Sequence, residues 1–271
     1  MKSDLGPLDI PEEIWKRLHP LLPKRKTNSK KGGRPRLDDR VAMAAIFYRV
    51  RTGIQWRYIP PMFGSKSTLH RRFQEWVASG VFDKIEKEAL KLYERTVKIR
   101  TKRMASDGSF ARAPKGGFFT GPNPTDRGKR GLKRHILVDR RGAPVAFVIA
   151  SAGTHDSKLL FPTLEKFKVF RNKKLLKPEI LSLDKAYSNK TIKNNLKKKN
   201  IQYRIPNKKN ARNPEWIAPL NPFRWTVERT FAWFNAFRAI KTCWEFKFEN
   251  YKALFQIAFL ILLRFGISFL L

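Results

Sequence analysis

The chain has 271 residues, enough for one large domain or for a small and a medium one. Its formal net charge is +36, from 58 Lys and Arg against 22 Asp and Glu, while 42% of the residues are hydrophobic. This hydrophobic content excludes a disordered polycation, and the charge calls for a polyanionic partner, most commonly nucleic acid. A ribosomal-type or membrane-surface protein is the alternative that composition leaves open.

The ends of the chain and its one cysteine bear on where the protein works. Cys243 has no partner for an internal disulfide, which favours a reducing compartment and predicts a cytoplasmic location. Residues 1–15 contain acids and no apolar run, so no signal peptide is expected. Residues 253–271 are almost continuously apolar, but Gln256 and Arg264 interrupt them, and an arginine inside a membrane span is costly. We therefore expect a buried C-terminal helix and no membrane partner.

The beginning of the chain predicts a short helix followed by a basic linker. Residues 8–22 have the spacing of an amphipathic helix. Residues 23–36, which include Arg34 and Arg36, are rich in Gly, Pro and basic side chains. Two interpretations stay open for the linker, since it is either a solvated tether or a segment whose two arginines enter an A·T-rich minor groove.

Two helices joined by a broken turn follow the linker. Asp38 or Asp39 caps the first helix and Gly53 ends it, and the second helix starts near Ser67. A helix-turn-helix DNA reader and a small helical subdomain without DNA contacts both fit this pattern. The candidate DNA contacts of the second helix are Lys66, His70, Arg71 and Arg72.

The sequence changes from helical to mixed patterns after residue 100. The order is strand, strand, strand, helix, strand, helix, strand and helix. The clearest segments are strands at 133–140, 144–153 and 179–187, helices at 189–200 and from about 225, and a short strand at 201–206. This order predicts a mixed five-stranded sheet flanked by helices, of the α+β or α/β class. The chain is thus expected to consist of a helical region, residues 1–100, and a sheet domain, residues 101–271.

Three acidic residues are candidates for chemistry in a chain that has few acids. Asp107 lies at the end of the first predicted strand, Asp184 at the carboxyl end of a buried-looking strand, and Glu228 in the aromatic C-terminal helix. Sites are assembled at strand ends, and a glutamate among apolar neighbours needs water or a cation. Three converging carboxylates suit two Mg²⁺ ions, which promote in-line displacement at phosphorus. Lys185 and Arg229, next to two of the acids, would then hold phosphates.

Each acid also has an ordinary interpretation. Asp107 could terminate a strand, Asp184 could cap the following helix, and Glu228 could pair with Arg224 one helical turn away. Asp156 precedes a helix as a capping residue would. The stripe of Trp and Phe in the last helices is interpreted as core that packs on the sheet.

Several long blocks, in one order, resemble bacterial transposases of the insertion-sequence-5 type within the DDE class. The helical region of that family is similar to GRPRLDDR, FYRVRTGIQWRYIPPMFG and STLHRRFQEWVASGVFD. Its catalytic blocks are similar to SDGSFARAPKGG, GPNPTDRGKRGLKRHILVDRRGAP, LDKAYS and RWTVERTFAWFNAFRAI.

The resemblance implies an RNase H-like fold whose catalytic and metal-binding triad is Asp107 in DGS, Asp184 in DKAY and Glu228 in VER. It implies two Mg²⁺ ions, for which Mn²⁺ can substitute. The wider class often carries Tyr, Arg, Glu and Lys at fixed spacing around the glutamate. Arg224, a further candidate DNA contact, matches that pattern. Asn221 stands at the tyrosine position and Asn235 at the lysine position, which weakens the assignment of DNA-end contacts there.

The resemblance also implies a reaction and its partners. The protein would bind the terminal inverted repeats of an insertion sequence, hydrolyse the element's ends, and join the freed 3′-hydroxyls to target DNA. Holding two ends at once implies a homodimer or a larger synaptic complex, at the nucleoid of a bacterial cytoplasm. The alternatives are a transposase-derived regulator without catalysis and an RNase H-like nuclease or resolvase. Inverted repeats flanking the coding region would favour the mobile element.

Overall fold

The computed structural model describes residues 10–24, 36–206 and 223–268, with side chains considered up to residue 263. Arg34, Asn221 and most of the predicted linker lie outside the described residues. The helices are α1 (Glu12–Leu18), α2 (Asp39–Thr52), α3 (Lys66–Ala78), α4 (Val81–Thr96), α5 (Asp156–Lys166), α6 (Lys190–Lys198), α7 (Trp225–Ala236), α8 (Arg238–Lys241) and α9 (Phe248–Ser268). The strands are β1 (Arg103–Arg112), β2 (Gly121–Pro122), β3 (Arg130–Val138), β4 (Pro144–Ser151), β5 (Phe170–Arg171), β6 (Lys174–Leu175), β7 (Ile180–Ser182) and β8 (Gln202–Arg204).

The predicted N-terminal helices begin and end at residues that local chemistry selects. The Asp38 carboxylate caps α2 by accepting from the backbone N–H of Arg40, at 2.6 Å. Gly53 ends that helix with a left-handed φ of 69°, a conformation in which a side chain is strained. Ser65 caps α3. The prediction of α2 and its caps is therefore confirmed.

The sheet has the predicted mixed character. Five strands lie in the order β4-β3-β1-β7-β8, and the two-residue β2 pairs with the start of β3 as a sixth. The pairs β4-β3 and β3-β1 are antiparallel, whereas β1-β7 and β7-β8 are parallel. The predicted antiparallel hairpin set followed by crossover strands is confirmed.

Two strand boundaries differ from the sequence prediction. The strand predicted over 179–187 ends at Ser182, and residues 185–187 form a 3₁₀ turn. Asp107 lies in the middle of β1, not at its end, because β1 continues along β3 after its parallel pairing with β7 has stopped. That parallel pairing ends at Ala105 opposite Ser182.

The C-terminal helix α9 is buried, as predicted. It packs against α4 and β4, and the Phe255 ring stacks on Phe234 of α7 at 4.5 Å. Gln256 is satisfied in this apolar setting by donating to Asp83 and Glu86 of α4, both at 2.7 Å. Among the described residues, no helix combines the length and the apolar character that a membrane span requires.

One prediction about side-chain environment is wrong, and a second is confirmed only in part. Arg72 does not face outward from α3, because its side chain is 3% exposed and forms an ion pair with Asp39 of α2. A buried, paired guanidinium is not available to a DNA surface. The aromatic stripe of α7 is only partly core, since Phe231 and Phe234 are buried while Trp225 and Trp233 are 54% and 39% exposed.

Candidate active site

The sheet register brings the first two candidate acids together. Asp107 and Asp184 each lie two residues beyond the last parallel pair, Ala105 and Ser182. Both residues therefore emerge side by side where the two strands separate. Helix α7, which carries Glu228, packs across β1 and β3.

Arg224, immediately before α7, lies among the three candidate acids. Its Nη1 is 3.0 Å from Oδ1 of Asp184, and its Nη2 is 3.6 Å from Oδ2 of Asp107. Its Nε is 3.4 Å from Oε1 of Glu228. One guanidinium thus contacts carboxylates from β1, from the turn after β7 and from α7. This group of four side chains is called the acidic site below.

The three acids differ in exposure and in their local bonds. The Asp107 side chain is 17% exposed and accepts from the backbone N–H of Gly108 at 2.8 Å. The Asp184 side chain, 25% exposed, accepts from the backbone N–H of Lys185 at 2.5 Å, so it does cap the following turn. The Glu228 side chain is 59% exposed and forms the predicted i−4 pair with Arg224. The ordinary interpretations of Asp184 and Glu228 therefore coexist with their place in the acidic site.

Among the three acids, Asp107 has a raised pKa. Burial raises its pKa to about 6, against the lowering effects of the Gly108 N–H and the Arg224 guanidinium. The negative charges of Asp156 and Asp184 add to the rise. Asp156 is not the predicted cap of α5, because His155 is the N-cap and accepts from the Ser157 N–H. Its carboxylate forms an ion pair with Lys133 of β3 at 3.2 Å, and its charge also contributes to the raised pKa of Asp107.

The acidic site suits a cation in its donor chemistry. It offers carboxylate oxygens, the ligands that Mg²⁺ and Mn²⁺ prefer, and the positive charge that now lies between them is the Arg224 guanidinium. In the described part of the chain, no three His, Cys, Asp or Glu side chains stand ready to hold a metal ion as they are placed. The residue types of the site suit a divalent ion, whereas in this arrangement the three carboxylates pair with Arg224 and are not placed to hold one.

The other predicted DNA contacts lie at two places. Lys66, His70 and Arg71 are exposed on α3, where the His70 ring lies 5.4 Å from that of Trp56. Arg36 is exposed and donates to Glu75 of α3 at 2.7 Å. These side chains remain candidates for DNA contact.

Lys185 and Arg229 follow Asp184 and Glu228 directly in the sequence. Lys185 is exposed beside Asp184. The Arg229 guanidinium lies between two indole rings, 4.3 Å from that of Trp225 and 4.7 Å from that of Trp233, and donates to the carbonyl of Arg141 at 2.6 Å. Arg229 is thus held in place, whereas Lys185 extends into solvent.

Sequence reasoning missed a polar layer inside the sheet. Arg134 of β3, fully buried, donates to the side chain of Asn235 at 3.0 Å, so the asparagine at the lysine position has a structural partner. The next residue, His135, is also fully buried. The available signal was the run Lys133, Arg134, His135 at the start of a strand that is otherwise apolar, since buried polar groups need specific partners.

The fold and the acidic site together define an RNase H-like domain preceded by a helical region. Residues 100–263 match the family described as "Transposase DDE domain", and residues 10–86 match "Putative transposase of IS4/5 family (DUF4096)". The chain belongs to the family of proteins with a transposase DDE domain.

Individual proteins agree with this assignment. The chain is 30% identical over 141 residues to "Putative transposase for insertion sequence element IS402" of Burkholderia cepacia, a match that covers 51% of this chain and 65% of that protein, just under two thirds. It is 34% identical over 118 residues to "Insertion element IS402 uncharacterized 16.2 kDa protein" of the same organism, covering 42% and 80%. A piggyBac transposase in a synaptic complex with hairpin DNA shares the fold, with a TM-score of 0.52 and 10% identity over 96% of this chain and 73% of that one.

Proposed function

We propose that this protein is a DNA transposase that binds the terminal inverted repeats of an insertion sequence, cleaves the DNA at the element's ends and joins the 3′ ends to target DNA. The observation that carries the proposal is the contact of one guanidinium with Asp107, Asp184 and Glu228. These three side chains come from distant parts of the sequence, and family members would use such a triad for phosphoryl transfer.

Asp107, Asp184 and Glu228 are the residues that would hold Mg²⁺ or Mn²⁺. Two such ions, when bound, supply activation of the attacking oxygen and stabilisation of the leaving oxygen in an in-line displacement. The charge of the site supports this role, because three carboxylates face one arginine and leave an excess of negative charge.

Basic side chains of this protein would contact the phosphates of the DNA. Arg224 offsets part of the negative charge of the acids, and its withdrawal would free a guanidinium for a phosphate of the DNA backbone. Lys185 is exposed beside Asp184 and can contact a neighbouring phosphate. Lys66 and Arg71 of α3 would contact the terminal repeat at a distance from the chemistry.

The proposed partners follow from the proposed reaction. The two ends of one element must be held together for joining, so we propose a homodimer or a larger synaptic assembly. Because the substrate would be chromosomal DNA, the protein would act at the nucleoid in the bacterial cytoplasm. The formal net charge of +36 supports binding to such a polyanion.

The test is cleavage and joining of a labelled DNA that carries the inverted repeats found next to the coding region. We expect Asp107→Asn, Asp184→Asn and Glu228→Gln each to lower the cleavage rate in Mg²⁺ by about 1,000-fold or more, equivalent to about 4 kcal/mol. DNA affinity should change by less than about threefold, because the acids do not contribute to attraction for a polyanion.

Glu165→Gln is the matched control, since Glu165 is an exposed glutamate on α5 and contacts none of the acids. Its cleavage rate should equal that of the wild type. Cleavage without joining would indicate a nuclease, and repeat binding without cleavage would indicate a regulator. Either result would overturn the proposed function.

A further inference from the structure

Strand register brings Asp184 beside Asp107, but Asp184 itself lies beyond the last hydrogen bond of the sheet. Strand β7 ends at Ser182, and Leu183 makes the last backbone bond to the neighbouring strand, through its N–H to the carbonyl of Arg204 at 3.0 Å. Asp184 follows, and its carbonyl accepts from the N–H of Tyr187 at 3.1 Å. Whatever anchors the turn that ends at Tyr187 therefore sets the place of the Asp184 carboxylate.

Tyr187 is anchored through its side chain. The side chain is fully buried, and its hydroxyl oxygen lies 2.8 Å from Nε2 of His135 in β3. The other ring nitrogen of His135, Nδ1, lies 2.7 Å from Oγ1 of Thr163 in α5. Thr163 Oγ1 in turn lies 2.8 Å from the carbonyl oxygen of Leu159. These three side chains are called the Tyr187 relay below.

The direction of every hydrogen bond in the relay follows from proton counting. The single hydroxyl proton of Thr163 goes to the Leu159 carbonyl, so Thr163 Oγ1 accepts from the Nδ1–H of His135. Nε2 of His135 then carries no proton and accepts from the Tyr187 hydroxyl. Burial, with a smaller effect of Lys133, lowers the pKa of His135 to about 3, so the ring stays neutral.

The anchor lies next to the first acid. His135 pairs across the sheet with Gly108, the neighbour of Asp107 in β1. The Tyr187 relay therefore connects the turn that carries Asp184 to β3, the strand that pairs with β1 next to Asp107. Burial raises the pKa of the Tyr187 hydroxyl, and the charges of Asp107 and Asp184 raise it further, which keeps the phenol protonated and able to donate.

We propose that Tyr187, acting through His135 and Thr163, is a positioning residue that fixes the separation of Asp184 from Asp107 and thereby the affinity of the acidic site for divalent cations. This inference rests on the proposed function, because it assumes that the two aspartates share a cation. Removing the phenolic hydroxyl leaves Nε2 of His135 buried without a donor and releases the turn.

The first experiment measures Mn²⁺ binding to the full chain by titration calorimetry or electron paramagnetic resonance. Tyr187→Phe should weaken Mn²⁺ binding by about 10-fold, the lower end of the range for losing a partner of a ligand-bearing group. Tyr251→Phe is the matched control, since Tyr251 is an equally buried phenol whose hydroxyl donates to the carbonyl of Ile240 at 2.9 Å and interacts with Arg134 but with none of the three acids. It should leave Mn²⁺ binding unchanged even where its melting temperature falls.

Substitutions of His135 separate positioning from packing. His135→Gln keeps an acceptor near Nε2 and should retain most of the Mn²⁺ affinity, whereas His135→Leu should lose as much as Tyr187→Phe. With inverted-repeat DNA, Tyr187→Phe should lower kcat and leave KM for the DNA unchanged. In ¹⁵N spectra, the wild-type ring of His135 should show a protonated Nδ1 and a bare Nε2 near neutral pH.

The outcomes distinguish this inference from the proposed function. Unchanged Mn²⁺ affinity in Tyr187→Phe, or an equal loss in Tyr251→Phe, would overturn the positioning role and leave the transposase proposal intact. A wild-type chain that binds no Mn²⁺ and cleaves no DNA would overturn the proposed function itself.

Discussion

Two polar clusters of this protein use the same side-chain types in opposite ways. In the helical region, the Arg72 guanidinium and the Asp39 carboxylate form a buried ion pair whose side chains are 3% and 10% exposed, and Arg72 Nε also lies 3.5 Å from Oε2 of Glu75. At the acidic site, among the described residues, the Arg224 guanidinium pairs with three carboxylates, and the Glu228 side chain is 59% exposed. The buried pair has one charge of each sign and is closed to solvent, while the acidic site has more negative charges than positive ones and is open to solvent.

The balance of carboxylates and cations distinguishes a functional cluster from a structural one in this strongly basic protein. A balanced buried pair has no remaining attraction for an added ion, and its role is to hold α2 and α3 together. A cluster with an excess of carboxylates repels itself until a further cation arrives, so its cost in stability indicates a binding role.

Breaking the balanced pair should have the largest effect on folding. Arg72→Ala should lower the free energy of unfolding by about 3–5 kcal/mol, because it leaves the Asp39 carboxylate buried without its main cation. Urea denaturation measures this loss. The neighbouring Arg71→Ala removes a side chain that is 74% exposed and should stay within about 0.5 kcal/mol of the wild type. Equal losses for the two variants would contradict the contrast.

Reducing the imbalance of the acidic site should stabilise the fold. The pKa of Asp107 is raised from 3.8 to about 6, so ionisation is less favourable in the folded protein than in the unfolded chain. The penalty is absent below about pH 4, develops between about pH 4 and 6, and is complete above about pH 6. Asp107→Asn removes it and should raise the free energy of unfolding by about 1–3 kcal/mol at pH 7 in the presence of EDTA.

Denaturation of the wild type and of Asp107→Asn at neutral and at acidic pH checks the sign of this change in the free energy of unfolding. The advantage of Asp107→Asn over the wild type should shrink towards zero near pH 3, where the wild-type carboxyl is mostly protonated in both states. A variant that is less stable than the wild type at pH 7 would mean that Arg224 more than offsets the burial of Asp107.

The smallest effect concerns DNA binding by α3. Arg71→Ala should weaken repeat binding modestly and reduce the slope of log affinity against log salt concentration by about one unit, since one phosphate contact is lost. Lys91→Ala, an exposed cation on α4 that pairs with Glu88, is the control and should leave the slope unchanged. An unaltered slope in Arg71→Ala would remove this residue from the DNA interface.

Much of this protein follows from sequence because the relevant signals are local. The caps Asp38 and Gly53 mark the ends of α2, and the order of strand and helix patterns predicts the mixed sheet. The family resemblance rests on contiguous blocks, and the matches of residues 10–86 and 100–263 to transposase families confirm it. In the sequence, Asp107, Asp184 and Glu228 stand out as acids of a basic chain that lie near predicted strand ends or on an apolar helix.

The tertiary structure decided which charges meet, because pairing between distant residues leaves no periodic signal in the sequence. Helical periodicity could not distinguish Arg72 from Arg71, since the carboxylate that draws one of them inward lies on another helix. The end of β7 at Ser182, which places Asp184 beside Asp107, depends on strand register. The Tyr187 relay likewise exists only where β3, α5 and the turn after β7 come together, because a buried hydrogen bond requires both partners at the same point in space.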